Sequence, residues 1–330
     1  MPRSYLLMPV WLSLFFFALT GCSPAPNYWT EAKPGQKKLL VSFAPLYAFT
    51  HAVAGDDAYV LCLLTTQGPH GYQGAATDLF KINKADLFLY NGLTLDDDFV
   101  DKMLRSHTNQ KLVKLNVGKV LDEHHHELLL QGDGKEHDHG DGNKHVHGKH
   151  DPHLWLGPPQ AMAMTRIIAI KLGEIDPDKK QNYLKRADAF IDELKKLEAY
   201  GKAAFKGKKN RKIITMHEAF GYFADAFDVE IVASIQMQPG IEPDAKSFAE
   251  IIKLCKSPAG PRVIAVEPQY PSNQAEAIRS SLKYEGIEVE IVTLDPLETV
   301  EPLANSFNPD PGYYLKKMRE NIDTLAKALP

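Results

Sequence analysis

Four side chains that could bind a metal ion lie next to the ends of strand-like segments, and they are His70, His153, His217 and Asp295. In open α/β sheets, ligands bind in the crevice beyond the carboxyl ends of the strands, so these side chains could converge there. Two of them would come from each half of the chain. Three neutral imidazoles and one carboxylate would form a closed tetrahedral site of the kind that zinc prefers, whereas manganese or magnesium would require more oxygen donors.

Each of these residues, taken alone, also has a purely structural explanation. His70 and His153 each follow a proline and could be loop residues. His217 could open a helix, and Asp295 could be a cap before a proline. The metal-site hypothesis therefore depends on the four positions occurring together.

A second group of histidines lies in the polar segment 122–150, which contains eight of the 13 histidines of the chain. They are His124, His125, His126, His137, His139, His145, His147 and His150. The segment has almost no apolar periodicity, so we expect a mobile loop. Imidazoles of near-neutral pKa bind zinc, copper or nickel, which predicts weak, multivalent metal binding here. The alternative is a solvated insertion with accidental composition.

Strand-like and helical segments alternate in both halves of the chain, which predicts an α/β fold with two lobes, each a largely parallel sheet flanked by helices. The predicted strands are 39–43, 59–64, 86–90, 111–116, 212–216, 230–234, 262–266 and 288–294. The predicted helices between them are 45–53, 77–83, 96–105, 217–227, 244–255 and 272–284.

A helical pattern from Asp176 to about Lys206 lies between the two halves and predicts one long connecting helix. Two shorter helices broken near Gly201 are the alternative. We therefore place the N-terminal lobe at 38–175, the connecting helix at 176–207 and the C-terminal lobe at 208–330, with the metal site in the cleft between the lobes.

The N-terminus has the features of a lipoprotein signal peptide at residues 1–21. Arg3 is followed by an apolar run up to Leu19 and then by Thr20-Gly21-Cys22. This run is shorter than the roughly 20 residues that a membrane-spanning helix needs. We expect cleavage before Cys22 and lipid attachment to its thiol, with an ordinary secreted protein as the alternative. The proline-containing residues 22–37 would form a flexible tether.

Composition limits the remaining possibilities. A net charge of −4 argues against a nucleic-acid partner, and 44% hydrophobic with 24% charged residues is ordinary for a globular protein. Apart from Cys22, the chain contains Cys62 and Cys255, which we expect to be buried free thiols. We expect a monomer held outside the cytoplasm at a bacterial membrane.

Five motifs occur in order along the chain: Pro-His-Gly-Tyr at 69–72, Asp-Leu-Phe-Leu-Tyr-Asn-Gly at 86–92, Asp-Pro-His-Leu-Trp-Leu at 151–156, His-Glu-Ala-Phe-Gly-Tyr at 217–222 and Leu-Asp-Pro-Leu at 294–297. Together they resemble the metal-ion class of solute-binding proteins of bacterial ABC transporters. The resemblance implies two lobes joined by a long helix, the four metal ligands given above, and a membrane permease as partner. The histidine-rich insertion is similar to that of the zinc-specific members, whereas manganese-type members tend to have a carboxylate in place of His217.

Glu267 follows a strand-like segment and is a candidate to hold a ligand by a hydrogen bond. If Asp295 also acts indirectly, a water molecule would complete the zinc shell.

The resulting hypothesis is a lipid-anchored protein that captures Zn²⁺ and delivers it to an ABC-type importer. The alternatives are a protein of the same type for manganese or another divalent metal, and a surface adhesin or zinc store. A zinc hydrolase is disfavoured, because His217-Glu218 begins like the motif H-E-x-x-H but position 221 is glycine. A catalytic zinc also keeps an open coordination position, which four protein ligands would close.

The lipid anchor can be tested by the substitution Cys22→Ser. Because no thiol remains to accept the lipid, the protein should be released in soluble form or remain unprocessed, as measured by membrane fractionation and mature mass. A membrane-bound variant of normal mature size would contradict lipidation at Cys22.

Overall fold

The computed structural model describes residues 26–132, 136–138, 144–146, 149–236 and 244–330. The signal-peptide segment, Cys22, His139 and His147 lie outside the described residues. Within them, the helices are all too short or too polar to cross a bilayer.

The N-terminal lobe is built on a four-stranded parallel sheet of order β2-β1-β3-β4. Its strands are β1 (Lys37–Phe43), β2 (Ala58–Leu64), β3 (Leu87–Tyr90) and β4 (Val113–Asn116). Its first helices are α1 (Ala44–Ala54), α2 (Asp78–Ile82), α3 (Asp97–Ser106) and α4 (Val117–His124). The central strand β1 is buried from Leu39 onward, as expected for a sheet covered on both faces.

Within the histidine-rich segment, where a mobile loop was predicted, the structure describes two short elements of regular structure. Two short strands, β5 (Glu136–Asp138) and β6 (Lys144–Val146), pair antiparallel, with His137 opposite His145. An isolated bridge joins Gln131 to His150 at the base. Strand pairing satisfies backbone hydrogen bonds without requiring apolar burial, so the polar composition did not reveal it.

Helices α5 (Pro158–Ile175) and α6 (Lys180–Phe205) follow and pack against each other. The helical pattern predicted from Asp176 contains a break, because this residue ends α5 and begins a 3₁₀ turn before α6. Helix α6 has 26 residues, so it is about 39 Å long and connects the two lobes. It continues through Gly201, so the alternative of two shorter helices was wrong.

The C-terminal lobe repeats the design with a parallel sheet of order β10-β9-β7-β8. Its strands are β7 (Lys212–Thr215), β8 (Glu230–Ser234), β9 (Val263–Val266) and β10 (Glu290–Thr293). Its helices are α7 (Gly221–Phe227), α8 (Ala245–Lys256), α9 (Asn273–Tyr284) and α10 (Tyr313–Ala328). The predicted fold is thus confirmed. Cys62 and Cys255 are buried free thiols, also as predicted.

Helix α10 ties the two lobes together, because it packs against α6 and α1. Its Tyr314 donates a hydrogen bond from its hydroxyl to the carbonyl of Trp155, and its ring meets Phe49 edge-on at 4.7 Å. All three residues are fully buried. One apolar core therefore extends from the N-terminal sheet through α6 into the C-terminal lobe.

Part of the segment 22–37, which was expected to be a flexible tether, packs against the lobe at Tyr28 and Trp29. Trp29 is only 4% exposed, and its indole Nε1–H donates to the Lys81 carbonyl at 3.2 Å. An indole ring removes a large apolar area from water on burial, which offsets the entropy lost on ordering this segment.

Gly201 provides a test of how closely α6 packs on the C-terminal lobe. Gly→Ala within a helix usually stabilises by roughly 0.5–1 kcal/mol. Here an added Cβ would lie 2.2 Å from Cε1 of Phe227, which is itself buried against Phe205 and Phe223. Gly201→Ala should therefore destabilise the protein by about 1–3 kcal/mol in urea unfolding.

The exposed neighbour Lys202 is the control position, and Lys202→Ala should change stability by less than about 0.5 kcal/mol. A stabilised Gly201→Ala variant would show that this helix contact is looser than the structure indicates.

Candidate metal centre

Three histidines and one glutamate meet beyond the carboxyl ends of strands from both lobes. His70 lies in the loop after β2, and His153 precedes a short 3₁₀ turn, Leu154–Leu156. His217 follows β7 by two residues, and Glu298 lies in the loop after β10. Each position belongs to the crevice where ligands bind in open parallel sheets.

The side chains of this cluster point their ligand atoms at one common region, and all four atoms lie within 4.8 Å of one another. The Nε2 atoms of His70 and His153 are 3.1 Å apart. Glu298 Oε1 is 3.3 Å from Nε2 of His70 and 3.8 Å from Nε2 of His153. It is 3.9 Å from Nε2 of His217.

These spacings suit a tetrahedral zinc shell. With metal–ligand bonds of about 2.0–2.1 Å, neighbouring ligand atoms are separated by about 3.3 Å. His217 Nε2 and Glu298 Oε1 are buried and make no hydrogen bond of good geometry with any described residue. Buried polar atoms without partners are costly, and a cation between them would satisfy both.

Two carboxylates orient the histidine rings from behind. Glu267 Oε1 lies 2.5 Å from Nδ1 of His217, and Asp151 Oδ1 lies 2.8 Å from Nδ1 of His153. These contacts direct each Nε2 toward the shared region and increase the basicity of the ring. Glu267 was expected in this role from the sequence, whereas Asp151 was not.

The loop that carries His153 is itself held from both lobes. Asn91 Nδ2 donates to the Pro152 carbonyl at 3.0 Å, and the Tyr222 hydroxyl donates to the Asp151 carbonyl at 2.8 Å. Asn91 belongs to the N-terminal lobe and Tyr222 to α7. The backbone before His153 is thus fixed independently of any metal.

Burial and charge oppose each other in this cluster. Burial alone would raise the pKa of Glu298, but the three imidazoles around it lower that pKa to about 2. Burial alone would lower the pKa of His217, but the hydrogen bond and charge of Glu267 raise it above the ordinary value. Zinc binds only the neutral imidazole, so a proton on His217 competes with the metal increasingly as the pH falls.

Asp295, the fourth ligand predicted from the sequence, lies outside the cluster. Its Oδ1 accepts a hydrogen bond from the Leu297 amide at 2.8 Å, and its Oδ2 lies 3.7 Å from Lys317 Nζ. Asp295 therefore caps the turn after β10. Leu297 has φ +63°, and the acidic side chain one residue later, Glu298, is the one that reaches the histidines. The positive φ of Leu297 cannot be read from the sequence. The sequence therefore predicts Asp295, the carboxylate that directly follows the predicted strand 288–294, as the ligand.

The chain is similar in sequence to known zinc-uptake proteins. Residues 39–328 match the family model described as ZnuA, zinc-uptake complex component A, periplasmic. The chain belongs to this family. The zinc-binding protein AdcA of Streptococcus pyogenes is 30% identical over 98% of this chain, which spans 61% of that relative's length. The high-affinity zinc uptake system protein ZnuA of Bacillus subtilis is 29% identical over 97% of this chain and 98% of its own.

Among solved structures, Zn(II)-bound AdcA from Streptococcus pneumoniae is similar in fold to this member of the ZnuA family. The TM-score is 0.67 at 27% identity, covering 89% of this chain and 58% of that structure.

The histidines of segment 122–150 whose side chains are described lie apart from the four-residue cluster. His124, His125 and His126 are exposed. His150 is 7% exposed, and its Nε2 lies 3.1 Å from Asp122 Oδ1. It lines a cavity of about 370 Å³ together with His70, His153 and His217. His150 therefore lines the same cavity as the three histidines of the cluster without belonging to the cluster itself.

The effect of Glu267 on its partner can be measured in metal-free protein. Glu267→Gln removes the charge that contributes most to raising the pKa of His217, so this pKa should fall, although Glu298 and Asp151 still raise it. An NMR titration of the His217 ring measures it. The exposed residue Glu288 supplies the control Glu288→Gln, which should leave the titration unchanged. An unshifted His217 in Glu267→Gln would contradict the assigned contact.

Proposed function

We propose that this protein captures Zn²⁺ outside the cytoplasm and delivers it to an ABC-type importer. The observation that carries the proposal is the largely buried cluster of three imidazoles and one carboxylate, in which two ligand atoms have no hydrogen-bond partner among the described residues. Membership of the ZnuA family supports the same function. This chain spans 61% of the length of the matched AdcA protein from Streptococcus pyogenes, so the proposal covers only the function of the shared part.

The proposed ligands are His70, His153, His217 and Glu298, and Glu298 takes the position that the sequence predicted for Asp295. Three nitrogen donors and one oxygen donor favour zinc, because manganese prefers sites richer in oxygen. Copper and nickel also bind imidazole, so the identity of the donor atoms does not distinguish them from zinc. The tetrahedral arrangement of the four donors is what favours zinc.

Exchange of the metal is proposed to begin at His70. Its side chain is 20% exposed, whereas those of His153, His217 and Glu298 are between 1% and 5% exposed. His70 also lies in a loop with glycines at 68, 71 and 74, two of them at positive φ. Movement of this loop opens the shell without separating lobes that share one core.

A binding role is proposed rather than catalysis. Four protein ligands leave zinc no open position for an activated water molecule. Position 221, where the metalloprotease motif would require a second histidine, is glycine at the start of α7.

The membrane attachment is proposed to be a lipid on Cys22, and a relative from Streptococcus pneumoniae is named a zinc-binding lipoprotein. Lipid attachment would keep the protein beside its permease. A surface adhesin or a zinc store would use the same metal cluster without a transporter. Co-purification of a permease with the zinc-loaded protein separates these alternatives from import.

The choice between Glu298 and Asp295 can be tested by calorimetric titration with zinc. Glu298→Gln should weaken binding by about 100-fold or more, because the loss of even an outer-sphere partner typically costs 10–100-fold. Asp295→Asn, the matched control, should bind zinc nearly as tightly as the wild type. The opposite ranking would restore Asp295 as the ligand and remove Glu298.

Residues 133–148 of the histidine-rich segment, which include His137, His139, His145 and His147, can be removed without distorting its base. The Gly132 amide donates to the Lys149 carbonyl at 3.0 Å, so a short glycine linker can join these residues after deletion of 133–148. The deletion should keep one tight zinc site and remove several weaker ones, because a segment that orders on binding has lower affinity. Loss of the tight site on titration would mean that the segment holds the principal metal.

A further inference from the structure

The first described residues of the chain are attached firmly to the side of the N-terminal lobe. The ring of Trp29 meets that of Tyr59 at 5.9 Å, and the ring of Tyr28 meets that of Phe307 at 5.0 Å. The Lys81 ammonium lies 5.0 Å from the centre of the Tyr28 ring. Lys84 Nζ donates to Asn27 Oδ1 at 3.3 Å. The polypeptide is therefore fixed to the lobe by Tyr28.

The distance from this attachment to Cys22 is limited by covalent geometry. An extended chain advances at most about 3.3–3.6 Å per residue, so the six steps from Cys22 to Tyr28 span at most roughly 20 Å. A lipid on Cys22 lies in the bilayer. Tyr28 must then stay within that distance of the lipid headgroups in every orientation of the two lobes.

The same surface exposes an unusual share of large apolar side chains. Of the six such side chains that are exposed in the described chain, three lie in or next to elements that contact the attached segment, and these are Phe80, Leu303 and Phe307. Phe307 contacts Tyr28, and Phe80 precedes Lys81 in α2. The Leu303 amide donates to the Asn308 carbonyl at 2.8 Å, which places Leu303 in the same turn as Phe307.

We propose that Phe80, Leu303 and Phe307 form a membrane-facing patch that rests on the lipid headgroups. The proposal depends on lipid attachment at Cys22, stated under the proposed function. A bilayer is the favoured occupant over the permease, because the short link alone brings this patch to the membrane. The acyl chains on Cys22 supply most of the affinity for the membrane. The contribution of the patch is to fix the orientation of the protein on the bilayer.

The test uses the full-length, lipidated protein in vesicles that contain brominated phospholipids, which quench nearby fluorophores. Phe80→Cys and Phe307→Cys introduce labelling sites for a thiol-reactive fluorophore. Cys62 and Cys255 are buried, and Cys22 is blocked by its lipid. Tyr284→Cys, at the 95% exposed end of α9 in the other lobe, is the matched control. Circular dichroism and zinc titration verify the fold of each variant.

The label should be quenched at positions 80 and 307 and unaffected at 284. Absent quenching at 80 and 307 in protein that floats with the vesicles would overturn the patch and leave the lipid anchor intact. Equal quenching at all three positions would also overturn it, since the protein would then have no fixed orientation. Failure to float would instead refute the lipid anchor, and the patch with it.

Discussion

The metal centre depends on one buried carboxylate facing three imidazoles. Glu298 is taken entirely out of water, and an isolated charge there would be strongly disfavoured. The three surrounding imidazoles favour the charged carboxylate, and they lower the pKa of Glu298 although burial alone would raise it. Two further carboxylates, Glu267 and Asp151, sit behind the rings. Three carboxylates therefore lie in or directly behind the cluster, and a divalent cation bound among the ligand atoms would neutralise much of their charge.

The rest of the fold keeps these groups at fixed positions. Each member of the cluster lies beside a strand or a short turn in a different part of the chain, so small shifts between the lobes would separate them. Trp155 donates from its indole Nε1 to the Pro296 carbonyl at 2.7 Å, which joins the His153 segment to the turn before Glu298. A site formed by two lobes needs such links, because preorganised ligands bind metal more tightly than ligands that must be gathered.

Much of this arrangement was predictable from local patterns. The eight main strands were anticipated closely, since short β-branched runs between turn residues are a strong signal. Helix α5 was missed because it is buried on several sides and lacks a clear polar face. Helix α10 was missed although Tyr314, Met318, Ile322 and Leu325 occur at helical spacing. Glu298 was missed for a different reason: its position depends on the backbone of Leu297, which sequence spacing does not encode.

Asn308 and helix α10, which lie near the C-terminal end of the described chain, complete the packing of the N-terminal lobe. Asn308 bonds the backbone of β2 at Cys62 and Val60, and Tyr314 covers Phe49. The edge of the N-terminal sheet and part of its core thus remain uncovered until nearly the last residues are present. If the chain crosses a membrane N-terminus first, its N-terminal lobe cannot finish folding before the residues around Asn308 and Tyr314 have also crossed. An unpaired sheet edge of this kind favours aggregation, so the β2 edge would be exposed to it until the residues around Asn308 have emerged.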